Sequence, residues 1–169
     1  MALNQVGLER LNTATTKKIG QSKNLIINGD MQVAQRGTSS TTSGYATVDR
    51  YSNEYAGADE APTQAQVDVA SGTTPYTLGF RKAVKITNGN QTSGAGTTDL
   101  AVVKQIIEAQ DIASSGWNYL SASSKITLSF WVKSSVAQVF SGNLRTFDGT
   151  AYVYKFDTAS LSADTWTKV

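Results

Sequence analysis

Apolar and polar residues alternate in one short stretch after another along this chain, the pattern of an extended strand with one face turned inward. In ITLSFWVK (126–133), Ile126, Leu128, Phe130 and Val132 share one face, and Thr127, Ser129 and Lys133 share the other. TQAQVDVA (63–70) sets Ala65, Val67 and Val69 against Gln64, Gln66 and Asp68. FRKAVKIT (80–87) alternates through Phe80, Lys82, Val84 and Ile86. TVDRYSNEY (47–55) sets Val48, Arg50, Ser52 and Glu54 against Thr47, Asp49, Tyr51, Asn53 and Tyr55. Turn-forming residues punctuate these runs: NLIING (24–29) stops at Asn28-Gly29, and RGTSSTTSGY (36–45), AGADEAP (56–62) and NGNQTSGAGTT (88–98) read as loops. Two further strands are expected at 136–144 and 150–157, joined by a Phe147-Asp148-Gly149 turn. Strands at this spacing make a sandwich or a barrel.

One segment fits two periods. In DLAVVKQIIEAQDI (99–112), Val103, Ile106 and Ile107 suit a helical face that Thr98 or Asp99 would cap. Val103, Ile107 and Ala109 suit a strand equally well.

The composition agrees with an all-β chain. Only 17% of the 169 residues are charged, so polarity comes from Ser, Thr, Asn, Gln and the 14 Gly. This length suffices for one domain with a sizeable core. Net charge is +2, and the fifteen basic residues are scattered, adjacent only at Lys17-Lys18 and Arg81-Lys82. Nucleic-acid binding draws on a concentrated basic stripe, so no nucleic-acid partner is expected. The absence of Cys and His excludes disulfides, thiolate nucleophiles, imidazole bases and the usual zinc ligands. No apolar run approaches the roughly 20 residues of a membrane span. The opening MALNQVGLERLNTATTKKIG lacks an apolar signal-peptide core, so neither membrane insertion nor Sec export is expected.

Residues 1–23 carry only Val6, Leu8, Leu11 and Ile19 as larger apolar points. Such a leader cannot bury enough surface to order itself. It reads either as a disordered tail or as an attachment arm that orders on a partner.

Two pairs of stretches carry a resemblance. NLIINGDMQVAQRGTS with YATVDRY, and KITLSFWVKSS with TWTKV, resemble a jelly-roll domain of bacteriophage fibre and appendage proteins, itself similar to carbohydrate-binding modules of the family 4/9 type. The resemblance covers about residues 24–169. It implies an all-β jelly-roll β-sandwich behind an N-terminal extended arm, and it makes 101–110 a strand. In such domains a WTKV-like segment leads into further strands, whereas here Trp166-Thr167-Lys168-Val169 is the last stretch. A jelly roll uses about eight strands in two sheets. The expectation is therefore a sandwich lacking its last strands, because the sequence is a fragment or because another chain supplies the pairing.

The resemblance also proposes sites. Trp131 points with the polar set of its strand, an arrangement sugar binders use for a stacking platform. Tyr51 and Tyr55 join it as candidate ligand residues. The preferred reading of Trp131 is nonetheless structural, packed under a loop or in a subunit seam. Arg36, Asp49 and Arg50 carry the motif and read as an ion pair tying the first loop to the next strand, with glycan contact as the other reading. Asn28-Gly29-Asp30 falls where modules of this type hold a structural calcium. The family's glutamate two residues beyond the Asp is Gln32 here, so Asp30 reads as a turn residue and no cofactor is expected.

Catalysis has little to draw on. A glycosidase needs two carboxylates roughly 5–9 Å apart, and nothing singles out a pair among Glu54, Asp59, Glu60 and Asp68. Ser and Thr lack a His base, and GNQTSGAGTT lacks the Lys of a phosphate loop. The sequence thus reads as a non-enzymatic virion protein on the tail or capsid surface. The tail-fibre reading has it attached to other virion proteins through residues 1–23, trimeric, and facing a host surface glycan. A capsid decoration protein with a cementing role and a free-standing carbohydrate-binding module are the alternatives.

Overall fold

A computed structural model of the chain describes residues 24–94, 96–147 and 149–169. The leader (1–23) and Asp148 of the expected Phe147-Asp148-Gly149 turn lie outside the described residues. The fold is all-β, and every strand pairing is antiparallel. Two compact units emerge. One holds the described residues up to Asp68 together with Arg81–Ile126, and the other holds Val69–Phe80 with Thr127–Val169.

The first unit contains strands β1 (Ser39–Ser40), β2 (Tyr51–Ala56), β3 (Thr63–Asp68), β4 (Lys82–Thr87) and β5 (Leu100–Gln105). They form a β1-β3-β4 sheet and a β2-β5 ribbon. In the ribbon Tyr51 stands opposite Gln105, Asn53 opposite Val103 and Tyr55 opposite Ala101. Lys104 reaches diagonally along the other face to Glu54 at 2.7 Å, and in the sheet Lys82 meets Asp68 directly across the ladder at 2.6 Å. Such cross-strand pairs fix register. The ambiguous 99–112 segment obeys both of its periods in turn: β5 ends at Gln105, and a short helix α2 (Ala109–Ser114) follows. The strand expected over 101–110 is thus confined to its first half.

The buried residue of β3 is an amide. Gln64 is 2% exposed, whereas Ala65 and Val67 on the opposite face are only half-buried. Its amide is fully engaged: Thr47 Oγ1 donates to Gln64 Oε1 at 2.9 Å, and Nε2 donates to the carbonyls of Thr42 and Gly44. A buried amide that finds such partners is tolerated where an unpaired one is costly. Val48 is a buried apolar side chain of this unit, as are Thr47, Ser52 and Asn53 among the polar ones.

The second unit contains a four-residue helix α1 (Thr74–Thr77), started by Pro75, and strands β6 (Trp131–Val132), β7 (Ser141–Arg145), β8 (Val153–Asp157) and β9 (Thr167–Lys168). The ITLSFWVK stretch forms a ladder only where β9 meets it. Trp131 pairs Lys168, Val132 pairs Thr167, and Phe130 and Val169 exchange backbone bonds of 3.0 and 2.9 Å. Ile126 and Leu128, placed on its inward face by the alternation, remain 42% and 37% exposed. The strand expected at 136–144 starts at Ser141. Before it, backbone bonds between Thr158 and Phe140, and between Leu161 and Gln138, join two irregular segments, reinforced by Thr158 Oγ1 accepting from Phe140 N–H at 3.0 Å. Phe130 and Phe156 lie 6.2 Å apart, and Gly142 gives the Phe156 ring the room a Cβ would fill.

Candidate functional site

The NG(D)…QRG…VDRY residues converge in the first unit. Asn28 adopts a left-handed backbone (φ 56°) that Asn tolerates better than most residues. Its side chain then acts as a staple. Oδ1 accepts from Val33 N–H at 3.0 Å, and Nδ2 donates to the carbonyls of Val33 at 2.9 Å and Asp49 at 3.0 Å. Asp49 closes the clamp from the other side. Its N–H donates to Val33 O at 2.9 Å, and its Oδ1 accepts from Gln35 N–H at 3.0 Å. Gln66, from β3, donates to the carbonyls of Met31 and Gln32. Gln105, from β5, exchanges two bonds with the backbone of Ile27, at 2.9 and 2.8 Å. The 24–36 loop is thus held by Asn28, Asp49 and two strand glutamines.

The expected ion pair divides in two. Arg36 stands 3.9 Å from Asp49 Oδ1, beyond hydrogen-bond length, with 60% of its side chain exposed. Arg50 does not join that pair. It adopts a left-handed backbone (φ 74°) just before β2 and extends to Glu108 Oε1 at 3.2 Å. Glu108 is the residue that opens α2, and its other oxygen accepts from Gln110 at 2.6 Å. Together Arg36, Tyr45, Arg50, Ile106 and Glu108 line an open groove of about 320 Å³. Tyr45 and Ile106 supply its apolar surface, 41% and 49% exposed. Each guanidinium has a carboxylate near it, Asp49 at 3.9 Å from Arg36 and Glu108 at 3.2 Å from Arg50, so the local charge is close to balanced.

The other candidates fall outside this groove. Tyr51 is half-buried, and burial chiefly pushes its hydroxyl up to about 12, with a hydrogen bond to Gln105 opposing and the Asp30 charge adding. Tyr55 donates its hydroxyl to Thr41 O at 3.0 Å, which closes the 41–55 loop onto β2. Trp131 is half-buried in β6 of the second unit, and the nearby Trp166 ring carries Lys133 Nζ at 5.6 Å. Asp30 is an exposed turn residue. Among the described residues no three His, Cys, Asp or Glu side chains gather in a metal-binding group. No helix among them is long and apolar enough to cross a membrane.

A second polar cluster secures the Gly-rich loop. The Asp59 carboxylate accepts from the N–H groups of Thr92 and Ser93, both at 2.7 Å, and from the Ser93 hydroxyl at 2.8 Å. The Ser93 backbone bond leads in holding the Asp59 carboxyl below its ordinary range. Glu60 Oε2 accepts from Asn90 N–H at 2.6 Å. These carboxylates serve as loop anchors.

Sequence reasoning missed Tyr45, Ile106 and Glu108. Glu108 lies 58 residues from Arg50, and no local period links them. The one available signal was the change from strand to helical period near 106–109, where β5 gives way to α2. Comparison with protein-family models, curated proteins and solved structures finds no match for this chain.

Proposed function

We propose that this chain is a non-enzymatic structural protein of a bacteriophage particle, an appendage component whose jelly-roll β-domain presents a ligand groove to the host surface. The observation that carries the reading is the clamp. Of the residues that resemble the phage appendage motif, Asn28, Arg36 and Asp49 meet around one loop, and Arg36 and Arg50 line the groove. A motif used this way stiffens a surface, with its carboxylate, Asp49, engaged by Gln35 N–H.

A second feature supports membership of an assembly. In the second unit Val136, Val139, Phe140, Leu144, Phe147, Tyr152, Val153 and Tyr154 are all exposed. Val153 and Tyr154 are successive strand residues, so the exposed apolar side chains lie on both sides of the β7-β8 ribbon, where neighbouring chains could cover them. Attachment is assigned to residues 1–23, whose few apolar points suit a segment that orders on a partner, and the assembly is a homotrimer. The test is deletion of residues 1–23. The truncated protein should keep a β-sheet circular dichroism spectrum and fail to join particles. Incorporation at the full-length copy number would refute the assignment.

A further inference from the structure

We propose that the groove lined by Arg36, Tyr45, Arg50, Ile106 and Glu108 binds an acidic sugar, with Arg36 pairing its carboxylate. The ligand class deepens the appendage reading and rests on it, whereas the groove chemistry stands on its own geometry.

Arg36 is the group with spare capacity. Its guanidinium carries five donors in a planar fork, yet it makes no hydrogen bond among the described residues, and its nearest carboxylate stands 3.9 Å away. That carboxylate, Asp49, is already engaged with Gln35 N–H. A ligand carboxylate offered bidentately is the partner such a fork fits best. Arg50 is committed differently. Its backbone is held at φ 74°, a conformation that costs energy in a residue other than Gly, and its side chain is tied to Glu108. Arg50 therefore fixes Glu108, itself steadied by Gln110, as an oriented acceptor for sugar hydroxyls.

The remaining surface selects a sugar over a simple anion. Tyr45 offers an exposed aromatic ring, and a pyranose stacks its CH face on such a ring. Ile106 extends the apolar surface. Phosphate would use the guanidinium and leave Tyr45 and Ile106 idle. The volume of about 320 Å³ lies at the small end of ligand pockets, which suits one or two sugar rings.

Saturation-transfer difference NMR reads the ligand's own signals, so the full chain can be used in whatever assembly it forms. The probes are tetragalacturonate, its methyl ester and inorganic phosphate as competitor. The acid should bind saturably and the ester about tenfold more weakly, the effect of losing one charge-assisted contact. Arg36→Gln should weaken the acid by the same factor while leaving the circular dichroism unchanged, and Arg36→Lys should retain part of the binding. Tyr45→Ala should erase transfer to the sugar ring protons. Arg145→Gln, a charge change in the second unit beside Phe147, should leave binding untouched. Equal binding of acid and ester, unaltered binding by Arg36→Gln, displacement by phosphate at equal concentration, or no saturable binding of the acid each overturns the proposal. Failure here with the protein present on particles would leave the appendage reading standing. Uronate binding by a protein absent from particles would do the reverse.

Discussion

Replacing Asn28 isolates the clamp in a single side chain. Asn28→Ala removes three hydrogen bonds, two to Val33 and one to the carbonyl of Asp49. The Val33 bonds are exposed and the Asp49 bond is partly buried, so together they contribute about 2 kcal/mol, toward the lower end of the usual range per bond. Alanine must also adopt the φ of 56° that Asn28 holds, which costs about 1 kcal/mol more. The expected loss is about 3 kcal/mol, a fall in Tm of about 6–12 °C for a chain of this size. Asn28→Gly separates the two contributions. Glycine loses the same bonds but accepts the backbone conformation without strain, so it should cost about 2 kcal/mol. Thermal unfolding followed by circular dichroism, with all three proteins at one concentration, gives the order wild type, Gly, Ala. Both variants within about 0.5 kcal/mol of wild type, the scatter of ordinary surface changes, would refute the clamp. So would glycine proving worse than alanine.

Other consequences follow from the remaining geometry. Tyr51 is raised to about 12 mainly by burial, and a raised acid stabilises the fold below its unfolded value of about 10, losing that contribution as pH climbs toward 12. Urea unfolding should therefore weaken over that window by about 1–2 kcal/mol, after discounting for solvent screening, and Tyr51→Phe should flatten the slope. An identical slope in the variant would contradict the assignment. Asp59 is lowered by its bonds to Ser93 and Thr92, so its contribution is present above the unfolded value of 3.8 and lost as pH falls through the folded one. The Thr92 and Ser93 amide resonances should shift together on acidification, and in Asp59→Asn that transition should vanish. Trp131 is half-buried, so Trp131→Ala should cost about 2 kcal/mol, roughly half the figure for a fully buried aromatic. An unchanged Tm with loss of a glycan ligand would make it a platform instead.

Much of the strand layout was legible in the alternation. Strands β2 to β5 and β8 lie within or beside the alternating runs, because a period of two is a direct consequence of the extended backbone. The buried face was less legible. In β3 the alternation sets Ala65 and Val67 against Gln64 and Gln66, yet Gln64 is the buried one, because Thr47 and the 36–45 loop supply partners for its amide, while the 24–36 loop engages Gln66. Hydropathy cannot register partners that arrive from distant segments. The same holds for Glu108, which took Arg50 from the expected pair with Asp49. In ITLSFWVK the period was correct, but a ladder extends only as far as its partner, and β9 meets it over Phe130–Val132. The Asn28-Gly29 turn and the Arg36 and Asp49 motif residues were visible from sequence, whereas the groove beside them depends on tertiary approach.

The most direct test of the appendage reading is immunogold electron microscopy of purified phage particles, using an antibody raised against residues 24–169. The account predicts gold on the particle exterior, at the tail or capsid surface, in multiple copies. Antigen confined to the particle-free fraction, with bare virions, would contradict it.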